Sequence, residues 1–433
     1  MKEAVPARLP GRWLEYLLAL AILVLLGRAM WWVYAYGQLP QPFFYDPTDT
    51  FMDWFNTAYW ARDTGPYDSW GALYPPLSFV VLRLLGDSAC YADGAGLETR
   101  ACDWIGLVAI HAIYLLNLVL IAKTYLKIDR RTALPRAIAL SAGLPMLFAL
   151  ERGNLLLLCF TCMLLSFGPL LKSARLRWLF AGLAVNFKVY LIGAVLAPII
   201  RRRWLWAEGA LLATIGVYLV TYGILGAGTP FEIYDNIVSY AQGSVSPQVT
   251  DIWYSVTYLP LISLLQGQNF PITNLIGSQL VETGLVLLPI LIRTGQAAVL
   301  LAVVASWLRP EMVPPFRLAF FGTVLALISS EAGGYTQILA ILFVFMERWR
   351  GIARPLAILC SYILCLPGDI ALTPLPPLFG DSYLTNQPVE IHIDVGLGMF
   401  LRPGLLIIIA IALSAATIHD VWADIRVQGW KHR

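Results

Sequence analysis

Residues 104–126 read WIGLVAIHAIYLLNLVLIAKTYL, and no Asp, Glu, Lys or Arg interrupts them before Lys123. A helix needs about 20 apolar residues to cross the hydrocarbon of a bilayer, and this stretch supplies them. The same character recurs along the chain, at 14–37, 133–149, 153–171, 176–187, 188–200, 203–226, 281–308, 313–330, 335–347, 354–373 and 400–423. Several of these runs are shorter than the ~20 residues of a straight span, as in helices broken beside a cavity. The reading is an all-α polytopic membrane protein with about 12 transmembrane helices, in a range of about 10–13. One transmembrane domain covers 1–433, without an internal repeat.

Composition excludes the soluble alternative. Of 433 residues, 58% are hydrophobic and 13% charged. A soluble protein carries roughly 25% charged residues. The 15 Trp and 20 Tyr suit side chains that sit at membrane–water interfaces. There is no long basic run and no nucleic-acid module, so nucleic acid is excluded as a partner. The partner implied directly by composition is the lipid bilayer. Oligomeric state is not legible. Met1–Arg12 is short and basic and lacks a small-residue cleavage site, which predicts an uncleaved first span.

The distribution of charge predicts orientation. With the N-terminus in the cytoplasm and strict alternation, every inner segment is basic: Lys2, Arg8 and Arg12; Lys123 to Arg136; Lys172 to Arg177; Arg201 to Arg203; Arg309 and Arg317; Arg348 to Arg354; and Arg426 to Arg433. Both termini are then cytoplasmic, in a bacterial inner (plasma) membrane. The complementary face carries the long polar segments 38–103, 227–280 and 374–399, with the Glu151–Asn154 turn, Lys188 and Glu331–Tyr335. Chemistry is therefore expected on that outer, periplasmic face.

The first outer segment is the richest. From Pro47 to Arg62 the pattern is helical, with Thr48 or Asp49 as N-cap. Phe51, Trp54, Phe55 and Ala58 form an apolar stripe, and Asp49, Asp53, Asn56 and Trp60 form a second. This predicts a helix in the membrane interface with two carboxylates one turn apart, facing away from lipid. The plain alternative is that Asp49 caps the helix and Asp53 is solvated. Tyr74-Pro75-Pro76 stiffens the return toward the membrane, as a loop clamp or a cavity wall.

Glu151-Arg152-Gly153-Asn154 is a hairpin between apolar runs, where charges are costly unless paired or functional. Lys188, between Asn186 and Tyr190, either snorkels or binds an anion. Glu331 either serves function or partners a basic residue such as Arg152 or Arg293. His111 and His392 have no ligand-like companions, so no metal is expected. Cys159, Cys162, Cys360 and Cys365 lie in apolar runs and read as packing residues. Cys90 and Cys102 bracket a polar loop and form a candidate disulfide if that loop lies outside the cell membrane.

Taken in order, these features resemble a known family. They are the basic first span, the Asp before an aromatic helix ending Ala61-Arg62, Gly65 and Tyr67, Tyr74-Pro75-Pro76, Arg152-Gly153-Asn154, and Lys188-x-Tyr190. The chain resembles the GT-C integral-membrane glycosyltransferases, and within them glycosyltransferase family 87, which includes the bacterial polyprenol-phosphate-mannose-dependent mannosyltransferases. The resemblance is clear over the first half; the second half matches in layout only. Two features depart from the family pattern: Asp46, Asp49 and Asp53 compete where the family helix has one obvious Asp, and Leu191 stands where Lys-x-Tyr is followed by Pro.

The resemblance implies transfer of a hexose, mannose favoured, from a polyprenyl-phosphate sugar to a lipid-linked or polysaccharide acceptor, with inversion. The lipid-linked sugar is a substrate and no cofactor is implied. Asp53, or else Asp49, would take the proton from the acceptor hydroxyl. Lys188, helped by Arg152, would hold the leaving phosphate. Tyr74, Asn154, Tyr190, Glu331 and Tyr335 would position the substrates. The competing classes are a transporter or flippase of lipid-linked sugars, and a glycan polymerase or ligase. The former would need charges along a path through the membrane, whereas here they gather at one edge. The latter generally places arginines in a large outer loop, and none occurs between Gly228 and Gln279.

Overall fold

The computed structural model describes residues 11–43, 46–63, 65–92, 97–243, 254–267 and 272–429, with the side chains of 241–243, 272 and 275 left aside. Each apolar run of the sequence contains a helix or a pair of helices, although 354–373 is helical only to Leu364 and then runs into the strand Ala371–Pro374. Among the described residues six helical stretches are long and apolar enough to cross a bilayer: Gly11–Tyr36, Trp104–Ile128, Ala133–Glu151, Trp204–Leu225, Ser278–Leu308 and Gly398–Gln428. This is the composition and architecture of a multi-pass membrane protein, with fewer full-length spans than the dozen expected from the apolar runs.

The shortfall has a physical cause. Leu156–Phe167, Val189–Ile200, Pro315–Ser329, Gly334–Val344 and Ala353–Leu364 are apolar but only 10–17 residues long. At 1.5 Å per residue such helices reach roughly 15–26 Å, short of a ~30 Å hydrocarbon layer. Two of them are also interior elements. Leu156–Phe167 buries nine of its side chains, and Gln337–Val344 buries every residue. By contrast, Gly11–Tyr36, Trp204–Leu225 and Ser278–Leu308 leave rows of Leu, Ile, Val and Trp exposed. Long helices with apolar outer faces surround short helices that the protein itself covers.

The two ends of this bundle sort the polar segments. Segments expected on the basic face meet at one end. There Arg136 clasps Glu15 with two hydrogen bonds (2.8 and 2.9 Å) and donates to the carbonyl of Glu347 (2.8 Å). Arg317 takes both oxygens of Glu347 (2.6 and 2.7 Å) and reaches Asp420 (3.3 Å), which also pairs with Arg354. Arg309 faces Asp424 at 3.1 Å. Segments expected on the other face meet at the opposite end, described below. Lys2, Arg8, Lys431 and Arg433 lie outside the described residues, as does part of 227–280.

The outer segments are more structured than the sequence suggests. Cys90 and Cys102 are bonded, their Cα atoms 5.6 Å apart, while the other four cysteines are free and buried. Within 374–399 lie short antiparallel strands: Leu378–Asp381 pairs with Pro388–Ile391, and Ala371–Pro374 pairs with Asp394–Gly396. Gln41 fastens to Asp394 through both ends of its amide (3.1 Å each), and Gln38 donates to the Glu390 carbonyl (3.1 Å). The third outer segment is thus sewn to the stretch that leads out of the first helix.

Candidate active site

The helix expected over Pro47–Arg62 is two elements. Pro47–Asp49 is a single 3-10 turn capped by Asp46, whose Oδ1 accepts from the Thr48 amide (2.8 Å). The cap is therefore Asp46, not Thr48 or Asp49. The α-helix itself runs Met52–Trp60. Its apolar stripe does not lie in lipid: Trp54, Phe55 and Ala58 are buried in the protein, with Trp54 and Phe55 packed at Gly106. Asp49 and Asp53 are brought together across the junction of turn and helix.

Phe51 makes that junction with φ 64°, an uncommon left-handed value for an aromatic residue. Its cost is offset by the hairpin opposite. The amides of Phe51 and Asp53, donors at the helix start, reach the carbonyls of Glu151 (2.8 Å) and Arg152 (3.1 Å). Gly153 permits the approach. It has φ 63°, and a Cβ there would meet Phe51 backbone atoms at 3.0 Å.

The side chains close the same contact. Arg152 donates from Nη2 to Asp53 Oδ1 (2.6 Å) and from Nη1 to Asp49 Oδ2. Asn154 donates from Nδ2 to Asp53 Oδ2 (2.7 Å) and to the Tyr335 hydroxyl (3.1 Å). The orientation of that amide is set by the Leu156 amide donating to Asn154 Oδ1 at 2.9 Å. Asp53 is thus held on both oxygens and keeps lone pairs for a further donor. Asp49 is 30% exposed and Asp53 21%. Burial raises the Asp49 carboxyl above its ordinary value, and Asp53 and Asp46 push the same way against Arg152.

Lys188 enters from the break between Ala174–Phe187 and Ile192–Ile200. Its Nζ lies 4.5 Å from the centre of the Tyr74 ring and 3.5 Å from its hydroxyl. Tyr74 is held by its carbonyl, which accepts from Tyr67 (2.8 Å). Tyr335 is bonded to the carboxylate side by Asn154 and neighbours Tyr74 and Tyr190 of the lysine side. The Tyr190 hydroxyl is buried and has no hydrogen-bond partner among the described residues.

Glu331 accepts a hydrogen bond from Ser255 (2.7 Å), and the Ser255 backbone bridges to Gly333. Arg152 serves the two aspartates, and Arg293 is exposed midway along Ser278–Leu308. The Ala61-Arg62 end of the motif is structural. Arg62 donates to the Ala58 carbonyl (2.8 Å) and to the Gly86 carbonyl (3.2 Å), and lies over the Tyr91 ring at 4.1 Å.

Two residues of this site carried no sequence signal. Arg100 donates to the carbonyls of Pro47 and Thr50 (2.7 Å each), so the disulfide-closed segment clamps the Asp49 turn. Tyr383, in the turn between paired strands, shares a 2.8 Å hydrogen bond with Thr50. An arginine near a cysteine and a tyrosine in a polar loop are too common to be singled out without coordinates. No family model, curated protein or solved structure matches the chain.

Proposed function

We propose that the chain is a membrane glycosyltransferase of the GT-C kind, moving a hexose (mannose favoured) from a polyprenyl-phosphate sugar to a lipid-linked or polysaccharide acceptor. In this reading it belongs to a bacterial inner membrane, with about a dozen membrane-embedded helices, both termini cytoplasmic and the site at the periplasmic face. One observation carries the reading: an oriented carboxylate, Asp53 in the grip of Arg152 and Asn154, lies in one tyrosine-lined cluster with a lysine that no acid partners among the described residues.

The chemistry is a single displacement. The acceptor oxygen attacks the anomeric carbon as its proton passes to Asp53. The new carbon–oxygen bond forms as the bond from that carbon to the phosphate oxygen breaks. The electron pair leaves with the polyprenyl phosphate, which needs no proton because it is a stable anion. Lys188 supplies the positive charge that this leaving group requires. Arg152 and Asn154 align Asp53 by holding one oxygen each, and Tyr335 braces Asn154. Asp49 is the alternative base, since its raised carboxyl is the more basic for being partly buried. Tyr74, Tyr190 and Glu331 present hydroxyl, ring and carboxylate groups suited to a sugar.

The test is transfer itself. The purified chain in proteoliposomes is given a panel of polyprenyl-phosphate hexoses and glycan or glycolipid acceptors, and released polyprenyl phosphate is measured. The expected result is turnover with one hexose and none for Asp53→Asn. A fully folded protein that turns over no donor of the panel would end the reading, and equal turnover with both Asp49 and Asp53 replaced would end the assignment of the base. Net donor flux across vesicles, without product, would favour a flippase.

A further inference from the structure

The basic end of the bundle contains a cavity of about 550 Å³. It lies at the opposite ends of helices that carry the candidate active site. Leu156–Phe167 begins two residues past Asn154, and its last residue lines the cavity. Pro315–Ser329 starts in the cavity wall and ends two residues before Glu331. At 1.5 Å per residue these helices set the two places about 18–22 Å apart.

The lining is strongly unbalanced in charge. Lys127, Arg177, Arg317, Arg348 and Arg354 contribute to it, against Glu347 alone. Arg317 and Arg354 are neutralised by Glu347 and Asp420. Lys127, Arg177 and Arg348 have no acidic partner among the described residues. Arg177 is pinned by donating to the Gly168 carbonyl, and its Nε is buried without a hydrogen-bond partner. The start of Pro315–Ser329 adds the positive end of a helix dipole. Phe167, Phe316 and Met346 also line it.

We infer that this cavity binds a phosphate ester. Three uncompensated cations around a half-open cleft call for an anion of more than one charge or several acceptor oxygens, which a phosphate group provides. The volume suits a headgroup-sized ligand. The apolar strip would take the carbon skeleton beside the phosphate. A basic rim alone is ordinary for the cytoplasmic face of a membrane protein. What sets this place apart is convergence: the exposed Lys127 and Arg348 and the half-buried Arg177 line one cleft, and Arg177 has a buried donor to spare. The inference does not depend on the chemistry at the other end.

The test uses the full-length protein in detergent. One arm adds phosphatidylglycerol and counts lipids retained in native mass spectrometry; the other titrates inorganic pyrophosphate. Retention of the lipid without pyrophosphate binding identifies a lipid headgroup, and pyrophosphate binding identifies a free phosphate compound. In either case Arg177→Gln/Arg348→Gln should weaken binding at least tenfold. Arg130→Gln/Arg131→Gln, two exposed cations on the same rim and outside the cavity, should change it less than twofold. Because Arg177 also holds the Gly168 carbonyl, Lys127→Gln/Arg348→Gln repeats the test if the first variant melts early. Binding of neither probe, or equal weakening by the rim control, overturns the inference.

Discussion

The two ends of this bundle use the same residue types in opposite ways. At the basic end two buried carboxylates, Glu15 and Glu347, are richly bonded. Glu15 takes two bonds from Arg136 and one each from Tyr362 and Trp349, and Glu347 takes a fork from Arg317. At the other end one arginine is divided between two aspartates, a lysine meets only a tyrosine, and the hydroxyls of Tyr190 and Tyr254 are buried without partners among the described residues. Satisfied networks fix helices against one another. Under-satisfied polar groups are costly for folding alone and point to a task. Ionic content therefore does not separate framework from site; the partnering of each group does, at Glu15 and Glu347 on one side and at Asp53 and Lys188 on the other.

The largest effect expected from this contrast is at Asp53. Asp53→Asn preserves the shape and a hydrogen bond but removes the base. Transfer should fall by about 10²–10⁴-fold, the usual contribution of general base catalysis, with unfolding unchanged. The counterpart at the other end is Glu347→Gln, which leaves Arg317 buried with a diminished partner. Stability should fall by about 3–5 kcal/mol in a reversible detergent unfolding titration, with turnover per folded molecule unchanged. A Glu347 variant that loses turnover but not stability would erase the distinction between the ends.

A smaller effect separates the two aspartates. Transfer requires an ionised base, so the rate falls as pH drops through that group's pKa. Burial raises Asp49. If Asp49 is the base, the acid limb of the rate profile lies above the ordinary aspartate range, and Asp49→Asn abolishes turnover. If Asp53 is the base, Asp49→Asn leaves much of the turnover in place. Measuring kcat against pH for the wild type and this variant decides between them.

Much of this arrangement was legible before the fold was known. Apolar runs located the helices because the lipid-facing and interior positions both demand apolar side chains. That same equivalence hid which runs could span: Leu156–Phe167 and Trp104–Ile128 read alike, although one is a short interior helix. The Arg152-Gly153-Asn154 turn stood out because charge between apolar runs is costly. Its partners did not, because nothing local ties it to Asp49 and Asp53, about a hundred residues away. The Phe51 stripe was assigned to lipid because periodicity reports an apolar surface without saying what covers it. Arg100 and Tyr383 act through backbone carbonyls and one hydroxyl, contacts available to almost any sequence.

The smallest predicted effect is also the most discriminating, at Tyr190. A buried hydroxyl without a partner costs about 1–3 kcal/mol relative to one that is bonded. If the group served packing alone, Tyr190→Phe would be neutral or slightly stabilising and would leave transfer intact. If it waits for a sugar or phosphate oxygen, the same change would raise stability by up to about 1 kcal/mol while lowering kcat/KM several-fold. Stability and activity would then move in opposite directions from one atom. At the basic end the equivalent deletion, Tyr362→Phe, removes a hydroxyl that donates to Glu15 at 2.9 Å, so it should lower stability and spare transfer. Paired melts and rates for the two variants compare the ends with one oxygen each, and a Tyr190→Phe protein that behaves like Tyr362→Phe would assign both tyrosines to the framework.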